Sequence, residues 1–225
     1  SGRRAGKPTG EAAVADMNVI LAAAGTGGHM VPAHALAAEL KKRGHGVLLI
    51  TDDRGARFPG LFDGVPVQIL PAGRLGGGPI GWLKAARAVM LGRREARALY
   101  RDHRPDAVVG FGGYPAFPAL IAASSRRIPT VLHEQNAVLG RVNRMLAGEA
   151  TAIGTAYDTI DRLKSAHQPK VVVVGNPVRE SVARLGEHMH DETYPCVHLT
   201  PFFANESMCG VRMSFDPWQL KSALP

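Results

Sequence analysis

The chain has 225 residues, 45% hydrophobic and 20% charged, which suits one sizeable core with an appendage. Its only cysteines, Cys196 and Cys209, lie near the C-terminus, which excludes a disulfide framework or cysteine metal site in the core. The uncharged stretch Ala107–Ser125 is interrupted by Gly110, Gly112, Gly113, Pro115 and Pro118, which excludes a membrane-spanning helix there; the net charge of +8 leaves nucleic acid, anionic lipid and phosphorylated ligands open as partners.

Residues 1–16 imitate a signal peptide, with Arg3 and Arg4 ahead of a short apolar run. Glu11 and Asp16 break that pattern, and the apolar run reads better as a strand. Met17 is then a candidate natural start, and 1–16 a leader or expression remnant expected to be disordered. Strands are expected at Val19–Ala24, Val47–Thr51, Val65–Leu70, Ala107–Gly110, Thr130–His133, Thr151–Gly154 and Val171–Val174. Several are unbroken apolar runs, as in strands buried on both faces. Helices are expected between them. Pro32–Arg43 puts Ala33, Leu36, Ala37 and Leu40 on one stripe, with Pro32 in the first turn and Gly44 after the end. Ile80–Arg101 is a longer helix, expected to break or bend near Gly92, and Ala116–Arg126 and Val138–Ala147 are shorter ones. This alternation predicts an α/β fold, a doubly wound parallel sheet of Rossmann-like type, over residues 17–180. The alternation is lost in 181–225, which reads as an atypical tail of low order. Its His188, His190, His198, Cys196 and Cys209 match no compact zinc spacing, and no metal ligand is assigned.

In parallel sheets ligands bind beyond the carboxyl ends of the strands. Each polar or glycine-rich cluster here follows a strand: Gly25–His29, Gly110–Pro115, His133–Asn136 and Gly175–Arg179. Gly25, Gly27 and Gly28 can take positive φ and admit a ligand close to the backbone. A helix start presents unpaired N–H groups that favour an anion. The same positive pole favours the neutral, proton-accepting form of an imidazole, and His29 stands at that point. Plainer roles compete at each position. Gly112, Gly113 and Gly175 can serve only tight turns, and Tyr114 can cap the core. Glu134 can fix a loop, and Asn136 can cap the next helix. His133 reads as a core or supporting histidine, and His34 and His45 as non-catalytic.

Taken together, Gly25-Thr-Gly-Gly-His29 with Pro32, Gly110-Phe-Gly-Gly-Tyr114 with Pro118, His133-Glu-Gln-Asn136 and Gly175-Asn-Pro-Val-Arg179 resemble the bacterial peptidoglycan N-acetylglucosaminyltransferases, the MurG family. The resemblance spans roughly Met17 to Glu180. It implies the N-terminal half of a two-domain GT-B glycosyltransferase of family 28, an inverting enzyme without cofactor. Such enzymes move N-acetylglucosamine from its UDP donor to the 4-hydroxyl of the muramyl sugar of lipid I, giving lipid II. The resemblance implies His29 as the base and Thr26, Gly27, Gly28, Asn136 and Arg179 at the donor. It places Gly112, Gly113, Tyr114 and Glu134 in the acceptor cleft. It also implies a C-terminal donor domain that this chain lacks, so a missing domain or partner subunit is expected to complete catalysis.

Lipid I is anchored in the inner leaflet, so the resemblance implies a peripheral protein on the cytoplasmic face of the bacterial inner membrane. Ile80, Trp82 and Lys84 are the candidate contact, with Arg74 and Arg87 beside them; Leu83 is expected to pack inward. From Lys84 to Arg104 seven basic residues face only Glu95 and Asp102, either a solvated helix face or a surface toward anionic lipid. Two other functions compete: a catalytically incomplete lipid I-binding half-molecule, and a dinucleotide-binding oxidoreductase. The second has Gly25-x-Gly27 after a strand and Asp52 or Asp53 at the end of the next, but Met30 replaces the third glycine and His29 goes unexplained. Nucleic acid is not expected as a partner, because at 6% aromatic content no stacking platform interleaves with the basic residues.

Overall fold

The computed structural model describes residues 16–57, 60–71 and 78–177. The expectations for 1–15, Arg74, Arg179 and the tail therefore lie outside the described residues. Seven strands form one all-parallel sheet: β1 (Asn18–Ala22), β2 (Gly46–Thr51), β3 (Val67–Ile69), β4 (Ala107–Gly110), β5 (Thr130–Glu134), β6 (Ala152–Thr155) and β7 (Val171–Val173). Four helices connect them: α1 (Gly27–Lys42), α2 (Gly78–His103), α3 (Ala116–Ser124) and α4 (Arg141–Leu146). The strand order is β3-β2-β1-β4-β5-β6-β7. The chain winds outward from β1, then returns to β4 and winds the other way. The crevice of such a sheet opens at that reversal, at the carboxyl ends of β1 and β4.

The pleat divides the core in two. Val19 and Leu21 of β1 face α1, where they meet Met30, Ala33, Leu36, Ala37 and Leu40. Ile20 and Ala22 face the opposite layer with Tyr100, Leu120 and Leu146. Alternate side chains of one strand thus serve two apolar layers, which is why Val19–Ala22 carries no polar residue. The edge strands differ: Val67 and Ile69 of β3 are each 42% exposed.

Three expectations are corrected. α1 starts at Gly27, not Pro32, because extended Thr26 offers its carbonyl to the N–H groups of His29 and Met30 at 3.0 and 2.9 Å. Pro32 therefore lies in the second turn, and it leaves the Gly28 carbonyl without its intrahelical donor. α2 runs unbroken through Gly92. A Cβ there would meet the Pro71 carbonyl oxygen at 2.5 Å and Pro118 Cβ at 3.1 Å, so this glycine serves the contact between α2 and α3 rather than a break. Leu83 is 73% exposed and does not pack on the sheet.

Candidate active site at the sheet reversal

β1 delivers Ala24 to the rim, and Gly25 to Thr26 carry the chain into α1. Gly25 is required for space rather than for its φ: a Cβ would strike the Gly55 nitrogen and Asp52 Oδ1. Gly25, Gly27 and Gly28 are absent from the positive-φ glycines, which corrects the expectation for this turn. Cβ atoms on Gly27 and Gly28 would meet nothing within 4 Å, so these first-turn residues face open space. Their N–H groups are the unpaired donors of α1.

The neighbouring turn after β4 has the left-handed conformations. Gly112 and Gly113 take φ +90 and +81. They form the seat of His29. A Cβ on Gly112 would come within 3.2 Å of His29 Cε1, and one on Gly113 within 3.6 Å of His29 Cδ2. The imidazole is thus held in the first turn of α1 beside this glycine backbone; a Cβ on Gly112 would press on the ring, and one on Gly113 would strike Ala24 Cβ. His29 Nδ1 is buried and has no protein hydrogen-bond partner among the described residues. The ring opens on a cavity of about 300 Å³ that Ala24, Thr26, Asp52, Arg54, Gly113, Tyr114 and Pro115 also line. Tyr114 lines this cavity and packs on the core.

Asp52 and Arg54 are the members of this wall that the sequence did not mark as such. Asp52 Oδ1 accepts the N–H groups of Gly25 and Gly55, each at 3.0 Å. Its Oδ2 receives Arg54 Nε and Nη2 at 3.0 and 2.9 Å. A carboxylate so committed fixes the turn. It is not free to bind a ribose, which counts against the dinucleotide reading. The signal available in the sequence was its position: a charged pair directly after a strand falls at the ligand rim.

The rim continues through the turn after β5. Glu134, 2% exposed, is surrounded by donors. Its Oε1 accepts Asn136 N and Nδ2 at 3.2 and 2.9 Å; its Oε2 accepts Gly140 N and Asn143 Nδ2 at 2.8 and 2.9 Å. The carboxylate therefore holds the loop from β5 to α4. Asn136 is not the cap of α4, which Gly140 begins. Its side chain is exposed at the rim and tied to Glu134. His133 Nε2 bonds the Gly175 carbonyl at 3.0 Å, and Gln135 Nε2 reaches His133 Nδ1 at 3.1 Å. The first contact makes Nε2 the protonated nitrogen and leaves Nδ1 to accept. Burial lowers the pKa of His133 from 6.5 to about 4, against the raising influence of the Gly175 carbonyl and of Glu134.

These bonds join the separate turns. Gln135 Nε2 reaches the Phe111 carbonyl at 3.3 Å, and Asn176 Nδ2 reaches the Gln135 carbonyl at 3.4 Å. Asn143 Nδ2 bonds the His133 carbonyl at 3.1 Å. One continuous set of contacts thus runs from His29 across Gly112 and Gly113 to the residue 133–136 turn and on to Gly175 and Asn176. Along it, Gln135 Oε1, Asn143 Oδ1 and Asn176 Oδ1 are buried without donors among the described residues. Among the described residues no group of three His, Cys, Asp or Glu is placed to hold a metal ion. No described helix is long and apolar enough to cross a membrane. At the rim end of α2, Ile80 and Trp82 are 70% and 58% exposed, and Lys84 is exposed beside them.

A wholly parallel Rossmann-like sheet, with a glycine turn and an imidazole at its reversal, is the N-terminal half of a GT-B glycosyltransferase. Residues 19–155 match the glycosyltransferase family 28 N-terminal domain, and the chain belongs to that family. It is similar to the UDP-N-acetylglucosamine--N-acetylmuramyl-(pentapeptide) pyrophosphoryl-undecaprenol N-acetylglucosamine transferase of Erythrobacter litoralis, 55% identical over 181 residues, which cover 80% of this chain and 44% of that protein. The protein of the same name from Zymomonas mobilis is 58% identical over 176 residues, covering 78% and 44%. Among solved structures, MurG of Acinetobacter baumannii is similar with TM-score 0.60 and 32% identity, over 75% of this chain and 48% of that one. The chain thus spans under half the length of these relatives. UDP-GlcNAc 2-epimerase from Neisseria meningitidis, at TM-score 0.54 and 15% identity, shares the fold alone.

Proposed function

We propose that this chain is the acceptor-binding half of a transferase that moves N-acetylglucosamine from UDP-N-acetylglucosamine to lipid I, making lipid II for peptidoglycan. The observation that carries the reading is His29, held on Gly112 and Gly113 at the mouth of the cavity, in the first turn of α1. In the proposed step the acceptor 4-hydroxyl oxygen attacks the anomeric carbon. The bond from that carbon to the phosphate oxygen breaks, the sugar inverts, and UDP leaves with the electron pair. The hydroxyl proton passes to His29, a general-base contribution of ~10²–10⁴-fold. The open N–H groups of Gly27 and Gly28, with Thr26 and Asn136, serve the phosphates and sugar of the donor, and the family resemblance assigns Arg179, outside the described residues, to the same ligand. Gly112, Gly113 and Tyr114 shape the acceptor side, and Glu134 acts by holding the loop that carries Asn136. The orphan acceptors at Gln135, Asn143 and Asn176 suit a ligand rich in hydroxyl and amide donors.

The chain spans under half the length of these relatives, so the role we propose for the residues present is acceptor binding, with donor binding carried by a second domain. Ile80, Trp82 and Lys84 then dock the rim on anionic lipid at the cytoplasmic face of the inner membrane, where a lipid-linked acceptor lies. The test is transfer of labelled N-acetylglucosamine to a short-chain lipid I analogue, with and without an added C-terminal domain from a relative. Transfer is expected only in the complemented protein, and His29→Ala is expected to lower its turnover at least ~100-fold with acceptor affinity little changed. Full transfer by the chain alone, or an unaffected His29→Ala protein, would overturn the respective assignment.

A further inference from the structure

The two nitrogens of the His29 ring have different surroundings. Nδ1 is buried without a hydrogen-bond partner among the described residues. The ring lines the cavity, so Nε2 is the nitrogen left to meet a ligand there. To take a proton, Nε2 must carry a lone pair, and a neutral imidazole then carries its hydrogen on Nδ1. A buried donor with no acceptor costs about 1–3 kcal/mol. One other side chain comes to the ring beside Gly112. A Cβ on Gly112 would have His29 Cε1 at 3.2 Å, His29 Nδ1 at 3.6 Å and Asn143 Nδ2 at 3.6 Å as its nearest neighbours. Asn143, on α4, is 1% exposed. Its Nδ2 donates to the His133 carbonyl at 3.1 Å and to Glu134 Oε2 at 2.9 Å. Two acceptors on Nδ2 fix which way the amide points, and Oδ1 is left as a buried acceptor without a donor among the described residues. An unmatched donor position and an unmatched acceptor thus border the space that the missing Gly112 side chain leaves.

We propose that Asn143 is the positioning residue for His29: through one ordered water beside Gly112, its Oδ1 holds the imidazole in the Nδ1–H tautomer and leaves the Nε2 lone pair to the acceptor hydroxyl. The inference rests on His29 being the base of the proposed transfer. The water accepts the Nδ1 hydrogen and donates one of its own to Asn143 Oδ1. What the second nitrogen bonds to decides which nitrogen of a histidine can accept a proton. When Nε2 takes the hydroxyl proton, both nitrogens carry hydrogen and the ring is charged. The Nδ1 hydrogen bond is then charge-assisted and stronger, so Asn143 favours the protonated base as well as the correct tautomer. The same amide ties Glu134, so one side chain links the base to the loop that carries Asn136.

The test is heteronuclear NMR of the histidine rings in the full chain under mildly alkaline conditions, with the His29 signals assigned by their loss in His29→Ala. The parent is expected to show hydrogen on Nδ1 and a bare Nε2, which is the less favoured tautomer of a free histidine side chain. Asn143→Ala is expected to lose that pattern. Asn143→Asp keeps an oxygen at the Oδ1 position while giving up the amide donors, and is expected to retain it. A purely structural role in the loop would move both variants alike. A thermal melt checks that each variant is folded, and the parent spectrum decides the tautomer without any variant. In the complemented transferase, Asn143→Ala is expected to lower kcat about tenfold, the worth of one hydrogen bond, with the acceptor KM little changed, and Asn143→Asp to recover part of the loss. Hydrogen on Nε2 in the parent would overturn the proposal, as would one tautomer shared by the parent and Asn143→Ala, or the pattern lost in both variants. An Nδ1–H ring that Asn143→Ala abolishes, in a protein whose transfer survives His29→Ala, would uphold the hydrogen-bond link and remove His29 as the base.

Discussion

At the scale of single residues, His133 shows how burial converts a titratable group into a fastener. Its neutral ring bridges Gly175 and Gln135, and protonation would remove the acceptor at Nδ1 that Gln135 uses. The sign follows from the direction of its shift. The folded pKa, about 4, lies below the unfolded value of 6.5, so the unfolded chain binds the extra proton between these limits. Stability from this group is intact above pH 6.5 and falls as pH drops toward 4, by on the order of 3 kcal/mol at the low end. Denaturant melts of the parent and of His133→Gln from pH 7 to pH 4 are expected to converge as pH falls. A constant gap between them would contradict this account. Such a role was half legible beforehand. A histidine ending an apolar strand points to a supporting position, but its partner Gly175 lies 42 residues away and follows another strand, which local sequence does not reveal. The same holds for Glu134, whose four donors become visible only once the loop to Gly140 is closed around it.

At the scale of elements, the seven strands were readable because each is an apolar run between polar turns. Helix ends were less so, where two signals conflict. Pro32 suggests a helix start, but Thr26 and the open space around Gly27 and Gly28 let α1 begin a turn and a half earlier. Gly92 suggests a break, yet it marks where α2 must approach Pro71 and Pro118. Two magnitudes oppose one another in Gly92→Ala. Helix propensity favours alanine by up to ~1 kcal/mol. Overpacking against an immovable carbonyl costs typically ~1–3 kcal/mol. The second dominates, so Gly92→Ala is expected to lower the denaturant midpoint, with a net loss of about 1–2 kcal/mol. A raised midpoint would mean that α2 can shift off α3, which the buried bond from Tyr100 Oη to the Ala119 carbonyl at 3.0 Å opposes.

At the scale of the whole molecule, burial is graded across the sheet. β4, β5 and β6 are buried along their full length and β1 nearly so, whereas all of β3 is exposed and β7 is half-buried. Amide exchange is expected to be slowest in β1, β4 and β5 and fastest among the strands in β3 and β7. Equal protection across all seven strands would contradict a centre-weighted core. The most buried strands are thus the ones that carry His29, Gly112, Gly113 and Glu134 at their ends, so the proposed base stands on the best-packed part of the scaffold.

The direction of β7 has one more consequence. Because it runs parallel to its six neighbours, the backbone leaves Val173 through Gly175, in a left-handed turn, on the side where the imidazole waits. An antiparallel closing strand would have released the polypeptide at the far end. As built, the backbone beyond Gly175 continues from the same rim of the sheet that carries the His29 cavity, tied to it through the bond from His133 to the Gly175 carbonyl.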